Sequence, residues 1–434
     1  MHIPKDIQIP VIVFGLQAAL LAGAAPAAAQ LMPNDQSLVT FNRYIAVRER
    51  RVPGFDSPGI PLGSFTLQPT LDANVLYNDN VLATQDDRDG DVIARITPAL
   101  TANSNWSDSL LSLSAIADID RYGRLGTENT VNTNLSAYGW HDLSRATRFR
   151  SLVRFQSLRE SRESQDVFVL TRRPIRFRTL ELGVGARHRF ANTQVSVDGG
   201  VVKSDFDDAV RRSDNVLIDQ DFRDSVLKRG RARVEFGQSP AVAYFVQGTY
   251  DRRTYRLRAR DPLASARESE IVEALGGVRF ELPILARGEV GVGYTRGSYR
   301  GVQFTPVSGL AIRTQVTFFP TQLTNVTVSA ERRVSDTGVP SSGGFATLSG
   351  SIRVDHELLR QLVLGASAGF RRDSFNGADR DDERFELGAS ADYRLNRRLS
   401  ARLNLSRLDL TSSGTGAFKS FVANRLLFGV GVRP

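Results

Sequence analysis

The chain has 434 residues, a formal charge of +9 from 56 Lys+Arg against 47 Asp+Glu, 36 Gly and no Cys. The lack of cysteine excludes disulfide scaffolds, thiolate metal sites and cysteine nucleophiles, and four histidines leave little for a histidine-rich metal centre. The basic excess is almost wholly arginine, since Lys5, Lys203, Lys228 and Lys419 are the only lysines, so composition alone leaves a nucleic-acid partner and an anion-handling channel both open.

Residues 7–29, IQIPVIVFGLQAALLAGAAPAAA, form an apolar run that closes on small residues before Gln30. That pattern predicts a signal peptide over 1–29 with an A-x-A cleavage site. No other window approaches about 18 consecutive apolar residues, so no helix is expected to span a bilayer. Residues 30–63 lack alternation and contain the Pro/Gly-rich stretch Pro53 to Pro61. They are expected to form a periplasmic N-terminal segment or plug, which caps the pore, docks a periplasmic partner or remains a flexible leader.

From residue 64 to 434 the sequence alternates apolar and polar positions in segments of about 12 to 17 residues, the period of half-buried strands. In 179–190, Leu180, Leu182, Val184, Ala186 and Phe190 oppose Thr179, Glu181, Gly183, Gly185, Arg187 and Arg189; from Phe385 to Leu395 the same rule holds. About eighteen such segments (16 to 18) are joined by eight short and nine longer connections in alternation. This is the pattern of an all-β, transmembrane, antiparallel up-and-down β-barrel in the bacterial outer membrane, with short periplasmic turns and long extracellular loops. The longer connections are expected near 78–88, 122–127, 158–173, 204–225, 256–268, 298–306, 334–344, 372–382 and 410–417.

In such a barrel an arginine facing lipid at the midplane costs about 2 to 4 kcal/mol, so the arginines are expected to point inward. Strand parity then makes Arg150, Arg154, Arg187, Arg189, Arg229, Arg231, Arg233, Glu273, Arg279, Arg313, Arg353, Arg402 and Arg425 pore-lining, among the acids Glu181, Glu235, Glu289, Glu386 and Asp392. Phe190, Phe236, Phe280, Phe318 and Tyr393 near the short turns suit an interfacial girdle. The acidic windows 78–91, 204–224 and 372–383 together carry −11, so with a total of +9 the remaining chain carries +20. Either the interior is a basic path for anions, or inward Arg and Glu pair across strands and cancel.

The stretch VRERRVPGFDSPGIPLGSFTLQPTLDANVLYNDNVL at 47–82 carries an Arg-rich lead-in, Asp-Ser-Pro-Gly, Gly63-Ser64-Phe65, Pro69 and Tyr77-Asn78-Asp79-Asn80-Val81. With Asp91-Val92-Ile93, Thr97-Pro98-Ala99-Leu100 and Trp106, it resembles the outer-membrane β-barrel porin family found with exopolysaccharide biosynthesis genes in proteobacteria. The resemblance implies a porin-like barrel that passively exports an anionic exopolysaccharide, with outer-membrane lipids, the barrel assembly machinery, polysaccharide and periplasmic export components as partners. Such barrels usually end on an aromatic that the assembly machinery reads, for which Phe428 is the candidate.

The alternatives are a general or anion-selective diffusion porin for small solutes and a structural barrel that docks periplasmic partners. No nucleic acid is expected, because the cations alternate with lipid-facing positions. No enzyme is expected either: His141 and His356 are placed in short turns and His188 on the lipid side, away from the lumen. No metal or cofactor is expected; the Asn78 to Asp91 acids lack the spacing of a calcium loop and read as a solvated loop.

Overall fold

The computed structural model describes Leu38 and residues 45–433, apart from 168, 240, 257–265, 284 and 340. The signal peptide expected over 1–29 lies outside the described residues, as does most of 30–44. The first strands are β1 (Ile60–Leu62), β2 (Phe65–Asn78), β3 (Asp91–Ser104), β4 (Ser109–Tyr122), β5 (Thr130–Asp142), β6 (Thr147–Arg159), β7 (Arg176–Phe190) and β8 (Thr193–Phe206). A loop hairpin, β9 (Ala209–Val210) and β10 (Leu217–Ile218), precedes β11 (Ser225–Ser239), β12 (Val242–Tyr255), β13 (Ser269–Leu282), β14 (Ala286–Tyr299) and β15 (Val307–Thr321). The chain ends with β16 (Thr324–Ser335), β17 (Gly344–Leu359), β18 (Leu362–Asn376), β19 (Asp381–Arg394), β20 (Leu399–Ser413) and β21 (Phe421–Val432).

Each of the eighteen long strands pairs antiparallel with its neighbours, and β2 pairs with β21 to close the sheet into a barrel. Closure satisfies the strand backbone without water, the condition hydrocarbon imposes. Eight connections have two to four residues, and they alternate with nine others of four to eighteen. Both ends of the barrel chain lie on the short-turn side: Phe65 pairs with Ser104, and Val432 with Leu399.

Two departures from the sequence reading have local causes. The loop expected at 372–382 shrinks to 377–380, because β18 and β19 continue their ladder through Asp373↔Asp382. Arg371 and Arg380 neutralise those facing carboxylates, at 2.8 and 2.5 Å, removing the repulsion that would end the strands. The segment before the barrel also contains a strand. β21 covers only Leu71 to Asn78 of β2, and β1 folds back onto the exposed edge at Phe65 to Leu67, hiding part of an otherwise open strand edge.

The burial is inverted relative to a water-soluble protein. Val246 and Val184 are 67% and 66% exposed on the outer face, whereas the largest fully buried side chains include Arg267, Gln220, Glu128, Asn80 and Asp198. The Tyr77-Asn78-Asp79-Asn80 motif gains a structural account at the seam. Asn80 is fully buried and donates to the carbonyls of Thr84 and Val422, while Asp79 accepts from the Asn424 backbone and side-chain amides. These bonds tie loop 79–90 to β21 beside the closing strand pair.

Replacing Asn80 by Ala orphans those carbonyls and should cost about 1 to 3 kcal/mol. Urea unfolding of the barrel in lipid vesicles, followed by the gel-mobility shift of folded barrel, should show that loss; unchanged stability would deny the motif its seam role.

Candidate functional site: the lumen and its two closures

Alternation fixes which side chains meet inside. Arg150 and Arg154 on β6, Arg187 and Arg189 on β7, and Arg229, Arg231 and Arg233 on β11 occupy inward registers. So do Glu273 and Arg279 on β13, Arg313 on β15, Arg353 on β17, Arg402 on β20 and Arg425 on β21. Arg189 lies exposed beside the short turn, its Nε 3.4 Å from the Ala191 carbonyl.

Most of these guanidiniums are held by carboxylates, several of them across strands. Asp198 bridges Arg150 at 2.6 Å and Arg231 at 2.8 Å. Gly185 makes room for it, since a Cβ there would collide with the Asp198 carboxylate. Arg233 stands between Glu235 at 2.7 Å and Glu289 at 2.8 Å, with its guanidinium 3.8 Å from the centre of the Phe245 ring. Gly277 and Gly291 accommodate that ring, as a Cβ would meet Phe245 Cζ at 2.6 and 3.1 Å. Further pairs are Arg154–Glu181 at 2.9 Å, Arg313–Glu273 at 3.1 Å, Arg279–Glu289 at 3.6 Å and Arg229–Asp251. Of the two interior arrangements left open by the sequence, the paired one is present. The acids Asp198, Asp251 and Asp355 are not marked by the sequence, because Arg150, Arg231, Arg229 and Arg48 reach them from other segments of the chain that only the folded register brings together.

An arm at residues 45–50 closes the short-turn mouth. The Val47 amide donates to Asn325 Oδ1 at 2.8 Å. Arg48 reaches Asp355 and Asp392, both at 2.6 Å, and Ser390 at 2.9 Å. Arg50 pairs with Glu357 at 3.2 Å and Glu49 with Arg287 at 2.5 Å. The arm therefore spans β14 to β19 through these polar contacts, with the Val47 side chain buried between them.

At the opposite mouth, loop 160–175 folds inward. Gln165 contacts Arg371 at 3.0 Å and, through its carbonyl, Arg380 at 3.1 Å; the Glu163 carbonyl accepts from Arg384 at 2.8 Å, and its carboxylate pairs with Arg425. Asp166 accepts from Thr337 and the Gly338 amide, both at 2.9 Å. Loop 204–225 supports this closure: Arg223 pairs with Glu160 at 2.5 Å. No local pattern marks 160–175 as inward, since its partners lie some 200 residues away.

Between arm and loop lies a cavity against β17 to β21, with Leu76 and Leu427 on its apolar side. Arg48, Arg353, Arg402 and Arg425 frame it, and Ser367, Ser390, Asn404 and Ser406 form its wall with Gly365 and Gly388. Small inward residues on this side leave the space that large ones fill elsewhere.

A family model described as Putative beta-barrel porin 2 matches residues 52–434. The chain belongs to that family. It is a porin-like barrel of the bacterial outer membrane. No curated protein matches the chain. Similar solved structures include OccK2 (OpdF) of Pseudomonas aeruginosa in complex with glucuronate, at 10% identity over 85% of this chain and 98% of that one, with a TM-score of 0.45. OpdL of the same organism shares 12% identity over 86% and 99% with a TM-score of 0.44. The siderophore receptor PirA of Acinetobacter baumannii shares 6% over 85% and 80% with a TM-score of 0.46.

The porin corrects one sequence expectation directly. Its arginines do not all point inward: Arg121, Arg178, Arg252, Arg296, Arg372 and Arg407 face outward, as do Lys203 and Lys228. All stand in the long-loop half of their strands, where headgroups rather than hydrocarbon surround the barrel and the midplane penalty falls away. The +20 carried by the chain outside the acidic windows is therefore partly an exterior charge. His141 and His356 lie in strands rather than turns and face outward, and His188 faces outward as its register led one to expect. His141, His188 and His356 each face a hydroxyl on the neighbouring strand, Ser109, Thr147 and Thr324, at 2.7 to 2.9 Å. The Asn78 to Asp91 acids are partly consumed at the seam, while Asp208, Asp219 and Asp221 bring carboxylate oxygens within 4.8 Å of one another in the connection between β8 and β11.

Lys419, in the loop between β20 and β21, donates to the Arg162 carbonyl of the inward loop. Burial, reinforced by Arg384, Arg162 and Arg380, pushes its ammonium down to about 7. Docking the loop thus penalises the charged form. The penalty is absent above the ordinary lysine value, grows as pH falls toward 7 and is constant below it. Conductance across planar bilayers should accordingly rise as pH is lowered from 10 to 7, and Lys419→Met should flatten the profile; a Met variant that retains the full pH dependence would contradict this role.

Proposed function

We propose that the porin is a passive diffusion channel for small, hydroxyl-rich solutes with a mild preference for anions. The carrying observation is the cavity framed by Arg48, Arg353, Arg402 and Arg425, whose Ser and Asn wall offers hydroxyl and amide partners to a sugar-like solute. Three carboxylates, Asp355, Asp392 and Glu163, pair with those four guanidiniums. One positive charge is left over locally, and the remaining N–H donors of the fork can hold a passing carboxylate. The contact is weak in a wet lumen, as throughput requires. In this reading the barrel is a conduit rather than an enzyme, and it uses no cofactor.

Export of an anionic exopolysaccharide is the second reading. It is favoured by the arm, which is held by hydrogen bonds and ion pairs that a periplasmic component can exchange. A polymer needs both the arm and loop 160–175 to withdraw, whereas a small solute needs only the gaps around them.

Reversal potentials in a salt gradient and liposome swelling with sugars and sugar acids distinguish the readings. The channel should admit small sugar acids faster than neutral sugars of equal size, and Arg402→Gln should lower that preference by about two- to fivefold, the range of one exposed charge contact. Exclusion of all small solutes, with polymer trapped in the periplasm of a deletion strain, would instead favour export.

A further inference from the structure

The outward face carries cations that nothing inside the barrel requires. Along β7 the outward side chains run Val184, Leu182 and Leu180, all exposed and apolar, and then change to Arg178 and Arg176 toward the long loop. β6 makes the same change, from Val153 and Phe155 to Arg159. The switch marks the level at which hydrocarbon gives way to headgroups.

At that level Arg159 and Arg176 stand directly opposite each other across the β6–β7 ladder. Arg159 is set among the like charges of Arg173, Arg176 and Arg178, with Asp207 as the opposing charge. The pair Arg178–Asp207, at 3.3 Å, is about two-fifths exposed on both sides. Farther round the wall Lys228 faces Arg252 across the β11–β12 ladder, and Arg252 meets Glu270 only at 3.7 Å. Like charges directly opposed on a sheet are destabilising, so two such pairs on the same lipid-side rim call for an external anion.

We infer that the outward arginine cluster Arg159, Arg173, Arg176 and Arg178 is a binding site for the phosphorylated headgroup of an outer-leaflet lipid. Its guanidiniums supply forked donors matched to phosphate oxygens, and one phosphate placed between Arg159 and Arg176 relieves their repulsion. The occupant is a membrane lipid rather than a soluble anion because the cluster adjoins the apolar band formed by Leu180, Val153 and Phe155, which acyl chains cover. The assignment is independent of what the lumen conducts.

The test uses the detergent-purified full chain, titrated with bisphosphorylated lipid A, with the same lipid lacking both phosphates, and with inorganic phosphate, and read by native mass spectrometry and thermal unfolding. The phosphorylated lipid should bind and raise the midpoint, and the double variant Arg159→Gln/Arg176→Gln should lose about tenfold or more in affinity, from roughly 1 kcal/mol per surface cation. The same variant without lipid should unfold at an unchanged or higher temperature, because a repulsion has been removed. Equal binding of the dephosphorylated lipid, unaltered affinity in the variant, or inorganic phosphate alone reproducing the stabilisation would each overturn the inference.

Discussion

Hydrocarbon offers the backbone no hydrogen-bond partner, and the rest of this molecule follows from that constraint. A chain that spans the bilayer with strands must close on itself, and β2 pairing with β21 is that closure. Once closed, alternate residues have only two destinations. Apolar residues such as Val184 and Val246 meet lipid, and the polar set turns toward an enclosed space where its charges find one another.

The enclosed space is organised by pairing rather than by a uniform field. Asp198 between Arg150 and Arg231, and Arg233 between Glu235 and Glu289, are inward knots buried too deeply to stay unpaired. Leaving one member of such a knot alone would cost about 3 to 5 kcal/mol. Open space survives where the wall residues are small, along β18 to β20, and there the arm at 45–50 and the loop at 160–175 approach from opposite mouths. The half-buried guanidiniums of Arg48, Arg353, Arg402 and Arg425 stand around that space.

The strand pattern, the eighteen-strand count and the alternation of turn lengths were legible because each is a short-range property. Period-two polarity needs only neighbouring residues, and a two-residue turn such as Ala191-Asn192 needs only its flanking strands. The pairing of the lumen was not legible, because Arg150 meets Asp198 only through register. The inward loop was hidden for the same reason: Gln165 is fixed by Arg371 and Arg380. The outward cations were misjudged on different grounds. The penalty for charge on the lipid face depends on depth, and parity carries no depth; Arg178 and Arg252 share the parity of lipid-facing leucines and valines but stand beyond the hydrocarbon.

The central claim is that water fills the inside of this barrel and lipid surrounds it. The chain contains no cysteine, so single cysteines introduced at inward Ser367 and Ser390 and at outward Val184 and Val246 report on each face without background. In a reconstituted bilayer, a membrane-impermeant charged thiol reagent should label Ser367→Cys and Ser390→Cys and leave Val184→Cys and Val246→Cys unmodified. Rapid labelling of the outward pair, with the inward pair protected, would reverse the two faces and contradict the account.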